Sequence, residues 1–497
     1  MGNLLPRPLV ERMLSGHAGL GVAAGALLYI LCLTGTIMVF HQELKRWEQP
    51  AVPEFSAAES VPAGTVAERA LARAEGEHPH ELVLQLPTEA MPRLTAHVVA
   101  RDPHGGDWYA APTGELVAPI EQPWTHFIES VHFYLTLPAT WGLILVGGLG
   151  ALMTALVITG LLAHPRMFRD AFRLRLGGKR LVSETDTHNR IGFWVTPFHL
   201  VIAVTGAALG LAIAVGMTSA GLQGEPSRSS FFDPVFGADP AASETDAPLP
   251  AIDTALARFR QAHPSLPPWV VAIHHPGKTS QEAKILAQHP DRLIFGDYYF
   301  FNSQGELTGN TGLSDGAIGQ QVFASLYTLH FGSFGGLGVK LAYGLLGLLA
   351  SVMMASGLNI WLIKRRQSGA AHPALERAWL ATVWGTPATL ALTLVVTTAS
   401  PLGTGWLAAI FWLGLMACIV ASLALPGIRW RGVYRLATAL FLFAAVLSHG
   451  LQQGLALPAH AAALSLVLTT AAATLAWLAW RSDRAASGPP LAEPITD

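Results

Sequence analysis

Apolar residues in this chain gather into long runs instead of alternating with the short periods of soluble helices and strands. Eight runs reach the ~20 residues that a helix needs to cross a bilayer core. They lie near 18–40, 140–163, 191–216, 337–363, 378–398, 405–424, 434–455 and 460–480. Each predicts a membrane-spanning α-helix. The fifth holds Pro387 and a Thr-rich stretch near 397, so seven spans is the competing count. The first run is followed by FHQELKRWEQP, with no small-residue cleavage site, and reads as a retained helix.

Two long polar segments interrupt the runs, at 42–131 and 217–329, and both carry helix and strand patterns. In the first, TVAERALARAEG (65–76) predicts a short amphipathic helix, and ELVLQL, RLTAHVV and DWYAAPTGEL predict three strands. The second repeats the scheme with AIDTALARFRQAHP, VVAIHH, AKILAQ and DYYFFNSQGEL. A Tyr-bearing strand, a polar turn and Gly-Glu-Leu recur at 108–116 and 298–307. Neither segment is large enough for a catalytic cleft of its own, so a structural or docking module is the plainer reading.

Lys and Arg set the orientation. Arg166, Arg169, Arg173, Arg175, Lys179, Arg180 and Arg190 crowd the loop after the second helix. Lys364, Arg365, Arg366 and Arg377 follow the fourth, Arg429 and Arg431 the sixth, and Arg481 and Arg484 the eighth. These loops share one side, expected to be cytoplasmic together with both termini. The long segments then face outward.

Composition narrows the chemistry. Of 497 residues, 51% are hydrophobic and 13% charged, against about 25% charged in soluble domains. A formal net charge of −2 offers no basic excess for nucleic acid. The two cysteines, Cys32 and Cys418, sit in separate apolar runs, which excludes a disulfide framework, an iron–sulfur cluster or a thiolate zinc site. No CxxCH is present for covalent haem attachment. Histidine is plentiful, with nineteen, so any metal-bearing cofactor would be held by imidazole.

The histidines recur in register. With His17 over His188, Gly21 falls on Gly192 and Thr34-Gly35 on Thr205-Gly206. With His132 over His330, Thr159-Gly160 meets Ser356-Gly357 after a one-residue slip. The first four helices are thus two copies of helix–outer domain–helix. A lone membrane histidine is as readily explained by an interhelical hydrogen bond, but four in register point to function. His17 and His188 fall at one face and His132 and His330 at the other, and each pair could axially ligate one b-type haem. His164 lies close in depth to the first pair. His199, 11 residues after His188, returns to the same helical face about 16 Å deeper, so the inner cofactor has more than one candidate set. His41, His449 and His460 read as interfacial.

These segments resemble the PepSY-associated transmembrane family. HAGLGVAAGALLYILCLTGTIMVFHQELKRWEQP carries its first-helix His, Thr-Gly and Glu-x-x-x-Trp; VHFYL with LVITGLLAHPRMFRDAFRLRLGGKR is similar to its second helix and basic loop. DTHNRIGFWVTPFHLVIAVTG and LYTLHFGSFGGLGVKLAYGLLGLLASVMMASGLNIWLIKRR resemble the third and fourth. The resemblance covers about 13–370, and its implied fold is an all-α polytopic membrane protein of about eight helices with two small α+β PepSY-like periplasmic domains. The expected organisation is helix 1 at 13–41, a PepSY-like domain at 42–131, helix 2 at 132–166 and a basic cytoplasmic loop at 167–190. Helix 3 at 191–216, a second PepSY-like domain at 217–329 and helix 4 at 330–366 follow. A four-helix extension at 378–480 and a cytoplasmic tail at 481–497 complete the chain.

The resemblance implies an inner-membrane protein with two haem b groups that passes electrons outward to ferric siderophores and releases Fe(II) in the periplasm. By motif, His17, His132, His188, His199 and His330 are its ligand candidates, with His164 a family histidine of undefined role. No segment reads as a nucleotide-binding domain, because GLGVAAG (19–25) lies inside a membrane helix with no preceding strand. Electrons would come from a cytoplasmic reductase docking on the basic loop or from quinol in the lipid. The competing functions are a non-enzymatic PepSY sensor or assembly protein, and a transporter whose histidines relay protons or metal ions.

Overall fold

The computed structural model describes residues 6–487 apart from 57–60, 75–78, 101–104, 165–171, 173–179, 224–228, 238–240, 242, 244, 401 and 455. Half of the expected basic loop at 167–190 and the end of the tail therefore lie outside the described residues. The chain divides into a membrane unit (1–50, 122–203 and 342–497) and a sheet unit (51–121 and 204–341).

Among the described residues eight helices are long and apolar enough to cross a membrane: α1 (Arg7–Met38), α5 (Ala139–Ala163), α6 (Arg180–Gln223), α10 (Gly336–Gln367), α11 (Pro373–Ala399), α12 (Thr404–Ala424), α13 (Trp430–Gln453) and α14 (Ala459–Ser487). Between them in chain order come the short helices α2 (His41–Glu48), α3 (Ala63–Arg73), α4 (Pro123–Tyr134), α7 (Ser229–Phe236), α8 (Ile252–Ala262) and α9 (Ile318–Phe331). Large apolar side chains stay exposed along the long helices, among them Leu413, Leu440 and Leu466, as lipid-facing surface requires. This is a multi-pass membrane protein. The third span starts earlier than expected, at Arg180. No Gly or Pro interrupts 180–190, and Arg180–Glu184 and Asp186–Arg190 pair at i,i+4 at 3.9 Å each.

Pro387 does not end α11. Proline lacks an N–H, which frees the carbonyl four residues back, and the Tyr29 hydroxyl donates to that oxygen, Val383 O, at 2.7 Å. The threonines of the same helix turn inward on their own backbone, with Thr382, Thr386, Thr389 and Thr393 all bonded to carbonyls three or four residues earlier. Eight spans is therefore the count the backbone supports.

Within the membrane unit α1 packs on α4, α5 and α11, while α11 packs on α12 and α13 and α14 packs on α2. The extension shares one apolar core with the early helices, in which Trp47, Phe127, Leu407 and Phe411 are fully buried. Polar tips find partners across that core. Trp124 Nε1 donates to Thr393 (3.1 Å), Trp412 Nε1 to Thr136 (2.9 Å) and Trp47 Nε1 to Ser465 (3.0 Å). His449, expected at the membrane surface, is buried; its ring stacks on Trp47 with centroids 3.9 Å apart, and its Nε2 donates to Trp47 O. Glu48 accepts from Trp124 N (2.9 Å) and Thr125 N (3.0 Å), which are first-turn donors of α4 without a side-chain cap at Gln122.

Among its described residues the sheet unit holds eight antiparallel strands in the order β4-β3-β2-β1-β5-β6-β7-β8. The strands are β1 (Glu81–Gln85), β2 (Leu94–Val99), β3 (Gly106–Ala110), β4 (Leu116–Pro119), β5 (Pro268–His274), β6 (Glu282–Ala287), β7 (Asp297–Phe301) and β8 (Leu307–Asn310). Where two separate α+β domains are expected, the strands of both outer segments form one sheet, joined by β1 and β5 from Glu81↔His274 to Gln85↔Val270. Each half also has a fourth strand beyond the three expected, folded back by the repeated Gly-Glu-Leu turn. Gly114 (φ 80°) and Gly305 (φ 69°) sit at the left-handed position of that turn. Alternate residues Leu82, Leu84, Leu94, Ala96, Ile273, Ile285 and Phe301 face a core closed by Val66 and Ala70 of α3 and Leu256 and Phe259 of α8.

Asp297 pins the turn after β8. Its carboxylate accepts from Leu313 N (2.5 Å), Ser314 N (3.2 Å) and Thr311 Oγ1 (3.2 Å), with His289 Nε2 at 3.1 Å. Asp297→Ala strands these donors, and each buried donor left unpaired costs about 1–3 kcal/mol. Hydrogen exchange of the 298–314 amides is expected to speed roughly 100-fold in this variant. An unchanged rate would show that water replaces the carboxylate.

Candidate functional site

Four histidines are seated in the same way, each on a Thr-Gly or Ser-Gly pair of a neighbouring helix. His17 of α1 rests on Thr159-Gly160 of α5: Nδ1 donates to Leu156 O at 3.0 Å and lies 3.3 Å from Thr159 Oγ1. His132 of α4 rests on Thr34-Gly35 of α1, with Nδ1 3.1 Å from Leu31 O and 3.4 Å from Thr34 Oγ1. His188 of α6 rests on Ser356-Gly357 of α10, with Nδ1 3.1 Å from both Met353 O and Ser356 Oγ. His330 of α9 rests on Thr205-Gly206 of α6, its Nδ1 2.9 Å from Thr205 Oγ1. In each copy the first helix, α1 or α6, both offers a histidine and carries a seat, while α4 or α9 supplies the second histidine and α5 or α10 the second seat.

The glycine in each seat is required by proximity. A β-carbon at Gly35, Gly160, Gly206 or Gly357 would lie 2.6, 3.1, 2.9 or 3.1 Å from the imidazole Cε1 above it. The hydroxyl residue has a separate task. Thr34 and Thr159 send their protons to carbonyls of their own helix, Ile30 O and Ala155 O, so toward the imidazole their oxygens act as acceptors. A backbone carbonyl has no proton to give. Nδ1 of His17, His132 and His188 therefore carries the hydrogen, and the lone pair of the neutral ring lies on Nε2.

His17, His164, His188 and His199 all line one cavity of about 370 Å³ in the membrane unit. The rings of His17 and His188 approach with centroids 6.2 Å apart and planes at 73°. His199 is 1% exposed, and its Nε2 is buried without a hydrogen-bond partner. His164 caps the C-terminus of α5 at the rim. The other two candidates are seated elsewhere, His132 in the membrane unit and His330 in the sheet unit.

The expected second and fourth helices, 132–166 and 330–366, are each broken just after the histidine. In the first copy α4 ends at Leu135 and Thr136, both in the left-handed region (φ 50° and 60°); in the second, α9 ends at Gly332 (φ 64°). Glycine adopts this conformation without strain and leucine does not, so the first copy holds its break under tertiary constraint. Among the aromatic residues flanking the outer histidines, Trp124, Phe127, Tyr299 and Phe301 are buried core side chains. GLGVAAG lies within α1, where Gly21 and Gly25 line the cavity. Sequence reasoning used the Thr-Gly pairs only to align the repeat; their fixed recurrence beside the histidines was the signal for the seats.

Comparison with known proteins agrees with this repeat. The profile of the family described as PepSY-associated TM region matches residues 14–364. Across 372 residues the chain is 29% identical to Uncharacterized protein PA4219 of Pseudomonas aeruginosa, covering 70% of this chain and 92% of that one. The family match takes in both copies, all six candidate histidines and all four seats, and stops before α11. The chain belongs to the PepSY-associated TM region family.

Proposed function

We propose that this protein binds haem b through its seated histidines and carries electrons across a bacterial inner membrane, from the cytoplasmic side, to ferric siderophores in the periplasm, with both of its own termini cytoplasmic. The observation that carries the reading is the common seat. An Nδ1–H held by a carbonyl is the arrangement that orients a ligating imidazole, raises its basicity and leaves Nε2 to bind metal. The rings of His17 and His188, with centroids 6.2 Å apart, stand close enough that both could serve one metal-bearing group. The cavity volume falls in the ~300–1,000 Å³ range of cofactor pockets, and the unpartnered His199 Nε2 marks a place where a bound group would supply contact.

The residues fit, and haem would supply a one-electron centre between them. His17 and His188 would hold the iron, and Leu156 O, Met353 O and Ser356 fix the rings. Met153, Met354 and Leu358 keep water from the cavity. His132 and His330, each on a matching seat within its own unit, would be suited to the same role, and the reading is two haem b groups. Among the described residues no three His, Cys, Asp or Glu side chains converge as a directly bound ion needs, which favours haem over a metal-relay transporter. A separate cytoplasmic reductase is the electron donor we favour over quinol.

Ferric siderophores hold Fe(III) with hard oxygen ligands that bind Fe(II) less tightly. One electron is therefore enough to release the metal. The test is to reduce the purified protein stoichiometrically, remove the reductant, and add ferric siderophore anaerobically with a ferrous trap. Reoxidation matched one-to-one by trapped Fe(II) is expected. A haem that stays reduced with every chelate tried would leave a sensor as the better reading, and a colourless folded protein would remove haem itself.

A further inference from the structure

A second cavity of the membrane unit, about 250 Å³, is lined by Arg180, Arg366, Arg377 and Arg431, with Glu376 as the carboxylate on its wall. It lies between the start of α6, the end of α10, and α11 and α13. We propose that it binds the phosphate headgroup of an anionic membrane phospholipid. Arg366 is paired with Glu376 (Nε–Oε1 3.1 Å) and Arg180 approaches Glu184 at 3.9 Å. Four guanidinium groups against two carboxylates leave the cavity cationic. Arg377 Nε is buried and makes no hydrogen bond, and an unpaired buried guanidinium N–H is costly unless an acceptor comes from outside the chain. Phosphate oxygens match that fork.

The remainder of the lining selects lipid over a free anion. Leu362, Leu380 and Val383 line the same cavity as the arginines, together with Trp379 and Trp384. That mixed lining suits a headgroup continuing into glycerol and acyl chains, and tryptophan is enriched where membrane meets water. Basic pockets between membrane helices bind anionic headgroups by this chemistry. Arg366, Arg377 and Arg431 lie beyond the family match at 14–364, and α11 and α13 supply two of the four guanidinium groups.

Native mass spectrometry of the full chain in detergent, titrated with dioleoylphosphatidylglycerol or dioleoylphosphatidylcholine, tests this. The anionic lipid is expected to bind at least ~10-fold more tightly than the neutral one, and Arg377→Gln/Arg431→Gln to weaken it roughly 30-fold. The Lys pair at both positions should keep most of the affinity, and millimolar inorganic phosphate should not displace the lipid. Should the double variant not fold, Arg377→Gln and Arg431→Gln singly are each expected to cost roughly fivefold. Equal affinity for the two lipids, affinity unchanged in the Gln variants, or displacement by inorganic phosphate would each overturn the proposal.

Discussion

His188→Gly is expected to remove the haem proposed for the 370 Å³ cavity while leaving the helices folded. The side chain contributes one of the two rings that face each other at 6.2 Å, and neither His164 nor His199 rests on a Thr-Gly or Ser-Gly seat. The reduced-minus-oxidised spectrum should lose the sharp bands of low-spin bis-histidine haem at that site, and added imidazole should restore them by filling the vacated ring position. Rescue separates a missing ligand from a collapsed fold. Gly357→Ala tests the seat itself: the new methyl would press on Cε1 of His188, and disturbing the support of a ligand typically weakens metal affinity about 10–100-fold. A full set of haem bands in His188→Gly without imidazole would mean that His199 or His164 is the ligand instead.

Trp47→Ala should detach the extension from the first helices. Trp47 is 0% exposed, stacks on His449 and donates to Ser465, so one truncation removes a large core volume, a ring stack and a buried hydrogen bond. Buried Trp→Ala changes cost about 3–5 kcal/mol. The expected result is a sharply lower unfolding midpoint in detergent, with proteolysis in the short connection between α10 and α11 releasing a C-terminal fragment that carries α11 to α14. Trp47→Phe, which keeps a ring but loses the N–H, should cost about 1 kcal/mol. Equal stability of wild type and Trp47→Ala would show that α14 and α2 hold together without it.

The spans were legible because a bilayer permits little except helices about 20 apolar residues long, so Leu- and Ala-rich runs have one reading. Pro387 was ambiguous for a physical reason: whether a proline breaks a helix depends on what receives the freed carbonyl, and Tyr29 lies 354 positions away in sequence. The histidines stood out through their register, yet the roles of Thr159-Gly160 and Ser356-Gly357 required knowing which helix faces which. The breaks after His132 and His330 escaped notice because apolar residues continue across them and hydropathy does not sense a change in φ. Strand patterns in both outer segments were readable by alternation, whereas their union was not. Edge-to-edge pairing of β1 with β5 depends on backbone groups that every sequence shares.

That seam has the symmetry of a dimer contact made within one chain. β1 and β5 are the same strand of the two copies, and they pair antiparallel, Val83 opposite Ala272 at the middle. A strand that meets its own counterpart in this way obeys a two-fold axis, the rule of an isologous homodimer contact. Each strand covers the backbone edge that the other would leave bare. A chain cut down to one copy would therefore present an open β1 edge, ready to pair with a second copy of itself.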